Sequence, residues 1–278
     1  MKIFKKKKVE FKENIIPKIK TKYKIGLALS GGGARGFAHI GAIKAFEEKG
    51  LTFDYVVGTS AGSFVGAAYA AGYSADEMID FSYTFADSDI KNQNFLFVST
   101  PASNIERVAD RLLLGVTFDR LKIPFRAVSV DLITGEEYVF NKGSVAKAVS
   151  ASCAVPLVFK PVSHEDKLLV DGGLLNTIPA DVARHMGADF VISVDINSTR
   201  GMGIGEQKTK FLNIATATWR IVMKSTAYKG EMNSDIIIKP DLTKFSSTQS
   251  LGRSDMVDIG YKATMEAMDE IFVSLGIK

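Results

Sequence analysis

KIGLALSGGGARG, residues 24–36, passes without a break from an apolar run into glycines and then into a helical pattern. Gly31, Gly33 and Gly36 match the G-x-G-x-x-G fingerprint of dinucleotide sites, in which a pyrophosphate rests on a helix N-terminus. A second stretch decides how the first is read. GTSAG, residues 58–62, lies between the strand-like run FDYVVG and the small-residue helical run SFVGAAYAAG. This is G-x-S-x-G in a strand–turn–helix setting, the context of a nucleophile elbow, where a sharp turn lifts the serine hydroxyl into the open. Dinucleotide binding instead needs an acid at the end of the second strand. Asp54 has roughly the right spacing but begins that strand, and Thr59 and Ser60 occupy its end. We therefore read Ser60 as a nucleophile, with Gly58 and Gly62 keeping its turn small. Gly31, Gly32 and Gly33 form a loop whose amides converge on the oxyanion that such a serine creates.

The same alternation continues along the chain. FDYVVG, PFRAVSVDL, EEYVF, KLLVDGG, DFVISVDI and SDIIIKPDL read as strands. ARGFAHIGAIKAFEEKG, SVAKAVSAS, IPADVARHMG and DMVDIGYKATMEAMDEIFVSL read as helices, several closed by glycine. Continuous apolar strands alternating with helices predict an α/β layer fold with a largely parallel sheet. Residues 86–118 and the loop STRGMGIGEQKTK, residues 198–210, fit the alternation poorly and suit a lid or binding loop.

Bulk composition narrows the function. The 278 residues are 46% hydrophobic and 24% charged, as in globular domains, and contain no apolar run long enough to span a membrane. The lone Cys153 forms no internal disulfide, which points to a reducing cytoplasm, and it reads as a small buried residue. Ten lysines against two glutamates give residues 1–24 a charge of +8, leaving −4 for residues 25–278 of the chain's +4. The basic excess thus belongs to a leader that reads as flexible, or as a tether to anionic lipid. Without basic surplus in the body, nucleic acid is not expected as a partner. No apolar stretch follows the lysines, so a signal peptide is not expected either.

A serine hydroxyl needs a base. Asp171 ends the strand KLLV at the edge where the glycine loop and Ser60 stand, and Gly172 and Gly173 allow close approach. A turn-forming role for Asp171 is the alternative. Burial raises a carboxyl pKa toward the range of a general base, with Arg35 expected to oppose the rise. His185 lies about 12 Å along a helix running to the other edge, and His164 sits in the polar turn SHEDK before its strand. His39 is nearer and is expected to pack or face solvent. Asp131 and Asp195 also end strands but lack flanking glycines. For lipid contact, two segments offer themselves: KFLNIATATWRIVMKSTAYKG, residues 210–230, as an interfacial or a packed helix, and Phe95, Leu96 and Phe97 as part of an acyl groove.

GGGARGFAHIGAIKAFEEKG, GTSAG, ASCAVPLVFKPV and DGGLLNTIPADVARHMGADFVISVDI, in that order, resemble the patatin-like phospholipase family, most closely its bacterial single-domain members. The resemblance covers about residues 24–275 and separates a domain, 24–278, from the leader, 1–23. It implies a three-layer α/β/α sandwich around a largely parallel sheet. It also implies a Ser60–Asp171 dyad cleaving acyl esters of phospholipids or lysophospholipids, an oxyanion loop of Gly31, Gly32 and Gly33 supported by Arg35, and no cofactor or metal. An esterase, thioesterase or acyltransferase acting on a small soluble substrate is the competing enzyme reading, and a non-catalytic binding module the third. The expected setting is the cytoplasm, with a peripheral place at the inner membrane surface through the leader.

Overall fold

The computed structural model describes residues 19, 21–85, 89, 100–197, 211–247 and 250–277. The Lys-rich leader apart from residues 19 and 21–23, the Phe95–Leu96–Phe97 cluster and the 198–210 loop lie outside the described residues.

Eight strands form one sheet: β1 (Ile25–Leu29), β2 (Tyr55–Thr59), β3 (Phe125–Asp131), β4 (Glu136–Phe140), β5 (Val162–His164), β6 (Lys167–Asp171), β7 (Phe190–Val194) and β8 (Ile236–Ile238). Their order is β5–β6–β3–β2–β1–β7–β8, with β4 also paired to β3. The strands from β3 through β2, β1 and β7 to β8 are mutually parallel. Side chains on successive residues face opposite sides, so each strand feeds two cores. Leu27, Leu29 and Val56 join the larger core with α1 (Phe37–Glu48), α2 (Ala61–Ala71), α3 (Ala75–Ser82), α4 (Ser103–Leu113), α5 (Val145–Ser152) and α9 (Arg253–Leu275). Ala28, Val57, Val128 and Val191 face the other way, against α6 (Ala180–His185). The result is the expected three-layer α/β/α sandwich with a largely parallel sheet.

The strand carrying Asp171 is where sequence and structure part. Strand β6 is antiparallel to β3, with Ser129 opposite Asp171 and Asp131 opposite Leu169. Residues 127–131 of β3 pair with β4 on one edge, and residues 125–128 pair with β2. Because β4 and β6 share residues 129–131 of β3, they lie on opposite edges, and so do β4 and β2. Strands β2 and β6 therefore occupy the same edge of β3, end to end, and converge from opposite directions. Asp171 reaches Ser60 by this head-on meeting, and not as the end of a parallel strand. Chain reversal into β6 uses the hairpin β5–β6, in which His164 pairs with Lys167 around Glu165, a residue with φ of 52°. His164 thus ends a strand, and its ring packs on Tyr138 and Phe140.

Residues 103–113, inside a stretch that fitted the alternation poorly, form α4 and bury Ile105, Val108, Ala109 and Leu112 at helical spacing. The 210–230 segment forms α7 (Phe211–Thr226), followed by α8 (Tyr228–Asn233). In α7, Ala217 and Met223 are buried, whereas Ile214 and Ile221 are exposed.

Candidate active site

Strands β1 and β2 run in parallel register, Leu29 beside Gly58, so the glycine loop and the elbow leave the sheet at one level. Ser60 follows β2 with φ 52° and ψ −123°, a conformation that costs a non-glycine residue about 1–3 kcal/mol. The surroundings hold it there. The Ser60 amide donates to Ser152 Oγ at 2.9 Å, and that hydroxyl donates to Val128 O at 2.6 Å. The Ser60 carbonyl accepts the Ser63 hydroxyl and amide at 2.6 and 2.8 Å. Glycine is required on both sides of the turn: a Cβ on Gly58 would stand 2.3 Å from Gly62 O, and one on Gly62 would stand 2.1 Å from Leu29 O. Ser152 is a positioning group that sequence reasoning missed; its place in SASCAVP carries no chemical signal on its own.

Asp171 is completely buried. Its Oδ1 accepts the Gly173 amide at 2.8 Å, while Oδ2 is buried without a hydrogen-bond partner among the described residues. Burial pushes its pKa from the ordinary carboxylate value up to about 7, against the lowering effects of the Ser60 hydroxyl and the Gly173 amide. Arg35, expected to oppose the rise, does not act on this carboxyl. The Ser60 side chain also interacts with the Cys153 thiol, which burial and the Asp171 charge push to a higher pKa. The hydroxyl thus stands between an uncharged thiol and a carboxyl poised near neutrality. Gly172 permits this approach, since a Cβ there would stand 2.3 Å from Val128 O.

The glycine loop differs from expectation at one residue. The Gly31 amide donates to Thr177 O at 3.1 Å, which commits it to fixing the loop on the segment after Asp171. Gly32 and Gly33 have amides with no acceptor among the described residues. Arg35 is buried and its Nε donates to Phe245 O at 3.0 Å, so it braces the loop through the chain beyond β8. His39, fully buried, donates from Nε2 to Ser30 O at 2.8 Å, and burial lowers its pKa to about 4. It is a neutral brace for the loop. His185 is exposed at the end of α6. Asp131 accepts the Ile133 and Leu168 amides, Asp195 accepts the Asn197 amide, and Asp54 accepts the Ile25 amide at the opposite edge of the sheet. These three acids have structural work away from Ser60.

A cavity of about 260 Å³ opens at Ser60, Gly32 and Gly33 and continues between the helices of the larger core. Its far wall is apolar, with Phe64, Ala68, Met78, Ile105 and Leu112. Ala68 lies two turns along α2 from the elbow, roughly 12 Å, a distance suited to a fatty-acyl chain. At the near end α7 contributes Trp219, Arg220 and Met223, beside Asn197 and Ser247.

An elbow serine with a buried carboxyl at one side and an apolar channel before it is an arrangement chemically suited to ester hydrolysis. Comparison adds the family: residues 27–184 match the family described as patatin-like phospholipase, and the chain belongs to that family. An uncharacterized NTE family protein of Mycobacterium tuberculosis is 36% identical over 187 residues, covering 65% of this chain and 32% of the relative. Patatin-like phospholipase domain-containing protein 6 of Mus musculus is 34% identical over 198 residues, covering 66% of this chain and 14% of its own length. The chain therefore spans about a third of the first of these relatives and less of the second. Among solved structures, VipD from Legionella pneumophila superposes with a TM-score of 0.60 at 15% identity, covering 89% of this chain and 67% of VipD. Human GIVD cytosolic phospholipase A2 gives 0.52 at 10% identity, covering 91% and 60%. Both show the shared fold.

Proposed function

We propose that this chain is a lipid acyl hydrolase that cleaves fatty-acyl esters of phospholipids or lysophospholipids through a Ser60–Asp171 dyad. The observation that carries the reading is the buried Asp171 carboxyl, raised to about 7 and interacting with the Ser60 hydroxyl at the head of an apolar channel. Ser60 Oγ attacks the ester carbonyl and its proton passes to Asp171. The carbonyl oxygen becomes an oxyanion held by the Gly32 and Gly33 amides, each such donor contributing roughly 3 kcal/mol. The tetrahedral centre collapses, the alcohol leaves with the proton from Asp171, and the acyl group stays on Ser60. Asp171 then takes a proton from water, whose oxygen attacks the acyl-enzyme; the Ser60 Oγ–acyl bond breaks, Asp171 returns the proton to Ser60 Oγ, and the fatty acid is released.

A fluorophosphonate probe is expected to label the wild-type protein at Ser60. In a panel of esters, long-chain phospholipid or lysophospholipid substrates are expected to exceed short soluble esters in kcat/KM. No labelling removes the nucleophile; a preference for short esters or thioesters replaces lipid by a small soluble substrate.

We further propose that the protein works at the cytoplasmic face of an anionic membrane, with residues 1–20 as an electrostatic tether. Each lysine at such a surface contributes about 1 kcal/mol. Removing residues 1–20 is expected to weaken binding to phosphatidylglycerol-rich vesicles at low salt by at least tenfold, with the wild-type advantage fading as salt is added. Equal binding of the two proteins excludes the tether.

A further inference from the structure

One cation at the cavity mouth has no counter-charge among the described residues. Arg184, Lys229 and Lys44 pair with Asp235, Glu137 and Asp76. Arg220 pairs with no carboxylate among the described residues, and its Nε is buried without a hydrogen-bond acceptor. A buried guanidinium nitrogen left without a partner is costly, and an arriving anion would offset that cost. The charge next to it makes matters worse: Arg35 is close enough for the Arg220 charge to push its pKa down. A second guanidinium thus lies within electrostatic range of Arg220, which itself lines a cavity whose interior is apolar.

The position of Arg220 relative to the scissile bond follows from its helix. Met223 reaches the centre of the site, because a Cβ on Gly31 would stand 2.6 Å from Met223 Cε and 3.3 Å from Ser60 Cβ. Thr177 Oγ1 donates to Met223 O at 2.8 Å and so fixes this turn of α7 against the segment after Asp171. Arg220 precedes Met223 by three residues, on the same helix face and about one turn away. An acyl chain in the apolar channel puts its carboxyl carbon at Ser60 and its alcohol portion toward α7. A phosphate two or three carbons beyond the ester oxygen falls in reach of a long arginine side chain.

We propose that Arg220 recognises the phosphate of the substrate's head group, binding the phosphoryl oxygens with its guanidinium and so selecting phosphate-bearing acyl esters over uncharged ones. This assignment rests on the Ser60–Asp171 reading above. Arginine suits it, since its planar donors meet two phosphate oxygens at once.

The test compares 1-palmitoyl-glycero-3-phosphate with 1-palmitoylglycerol, which differ only in the phosphate. Wild-type protein is expected to prefer the first in kcat/KM, and Arg220→Gln to lower that preference roughly tenfold or more, mainly through KM. Arg220→Lys is expected to restore part of it as a point charge. An unchanged preference, or equal losses on both substrates, overturns the proposal. Inorganic phosphate tells a head-group site from a free-anion site: inhibition of 1-palmitoylglycerol cleavage by millimolar phosphate that Arg220→Gln relieves, together with no wild-type preference for the phosphate-bearing ester, overturns the head-group assignment. If wild-type protein cleaves neither ester, the dyad reading fails by itself. Arg220 is then judged by calorimetric binding of dodecyl phosphate to the full chain, which Arg220→Gln should weaken roughly tenfold; equal binding overturns the proposal.

Discussion

Asp171→Asn is expected to reduce acyl-ester hydrolysis by roughly 10³-fold or more while making the protein more stable at alkaline pH. Both effects come from one carboxyl. Asparagine keeps the oxygen that accepts the Gly173 amide, but it cannot take the Ser60 proton. The wild-type base is active only when ionised, so kcat/KM should rise tenfold per unit up to about pH 7 and level off above it. Stability runs the other way. The folded-state pKa lies above the unfolded value, so the native state binds the proton more tightly. The stability this gives is complete below about pH 4 and is lost as pH rises through 7. Asparagine does not titrate, and its advantage over wild type should grow across that window to at most about 4 kcal/mol. Thermal melts at pH 5 and pH 8 check the sign: a difference in Tm that shrinks toward pH 8 would sink the account of a carboxyl raised by burial.

Ser60→Gly and Ser60→Ala are both expected to abolish turnover and fluorophosphonate labelling, but they should differ in stability. Alanine inherits the strained φ of 52° and ψ of −123°, whereas glycine adopts it freely. Glycine loses more chain entropy on folding, which offsets part of the relief. The net expectation is that Ser60→Gly exceeds Ser60→Ala by about 1 kcal/mol in denaturant unfolding. Equal stability, or a less stable glycine variant, would show that the Ser152 and Ser63 hydrogen bonds impose no strain on the elbow.

Much of this architecture was legible in the chain. The strands were visible because each is a short, unbroken apolar run, and both cores need apolar side chains on both faces of such a strand. The elbow and the glycine loop were visible because close approach, of backbone at Gly58 and Gly62 and of the Ile196 side chain at Gly32, admits only the smallest residue. Strand direction was not visible. KLLVD has the same composition read from either end, and its antiparallel course is set by pairing with β3, a long-range choice. The one local hint was the turn between Val162 and Lys167, whose Glu165–Asp166 tip lacks the glycine or asparagine that marks a tight hairpin. The duty of the Gly31 amide was hidden for a similar reason: its acceptor, Thr177 O, lies far along the chain. Arg220 stood in view as part of a basic, apolar helix, and only the absence of an acceptor around Nε sets it apart from an ordinary surface cation.

The end-to-end meeting of β2 and β6 on one edge of β3 also orders events in time. Ser60 leaves the ribosome roughly 110 residues ahead of Asp171, a delay of roughly 5–20 s at ordinary synthesis rates. Strands β1 and β2, with the glycine loop, are made before that interval and β3 within it, yet the edge of β3 beyond β2 stays empty until the β5–β6 hairpin emerges. A growing chain therefore holds Ser60 without the base proposed for it, and the proposed dyad can come into being only when the last piece of that edge docks. Arrest of translation before residue 171 yields a chain that has the elbow residues and no means of using them.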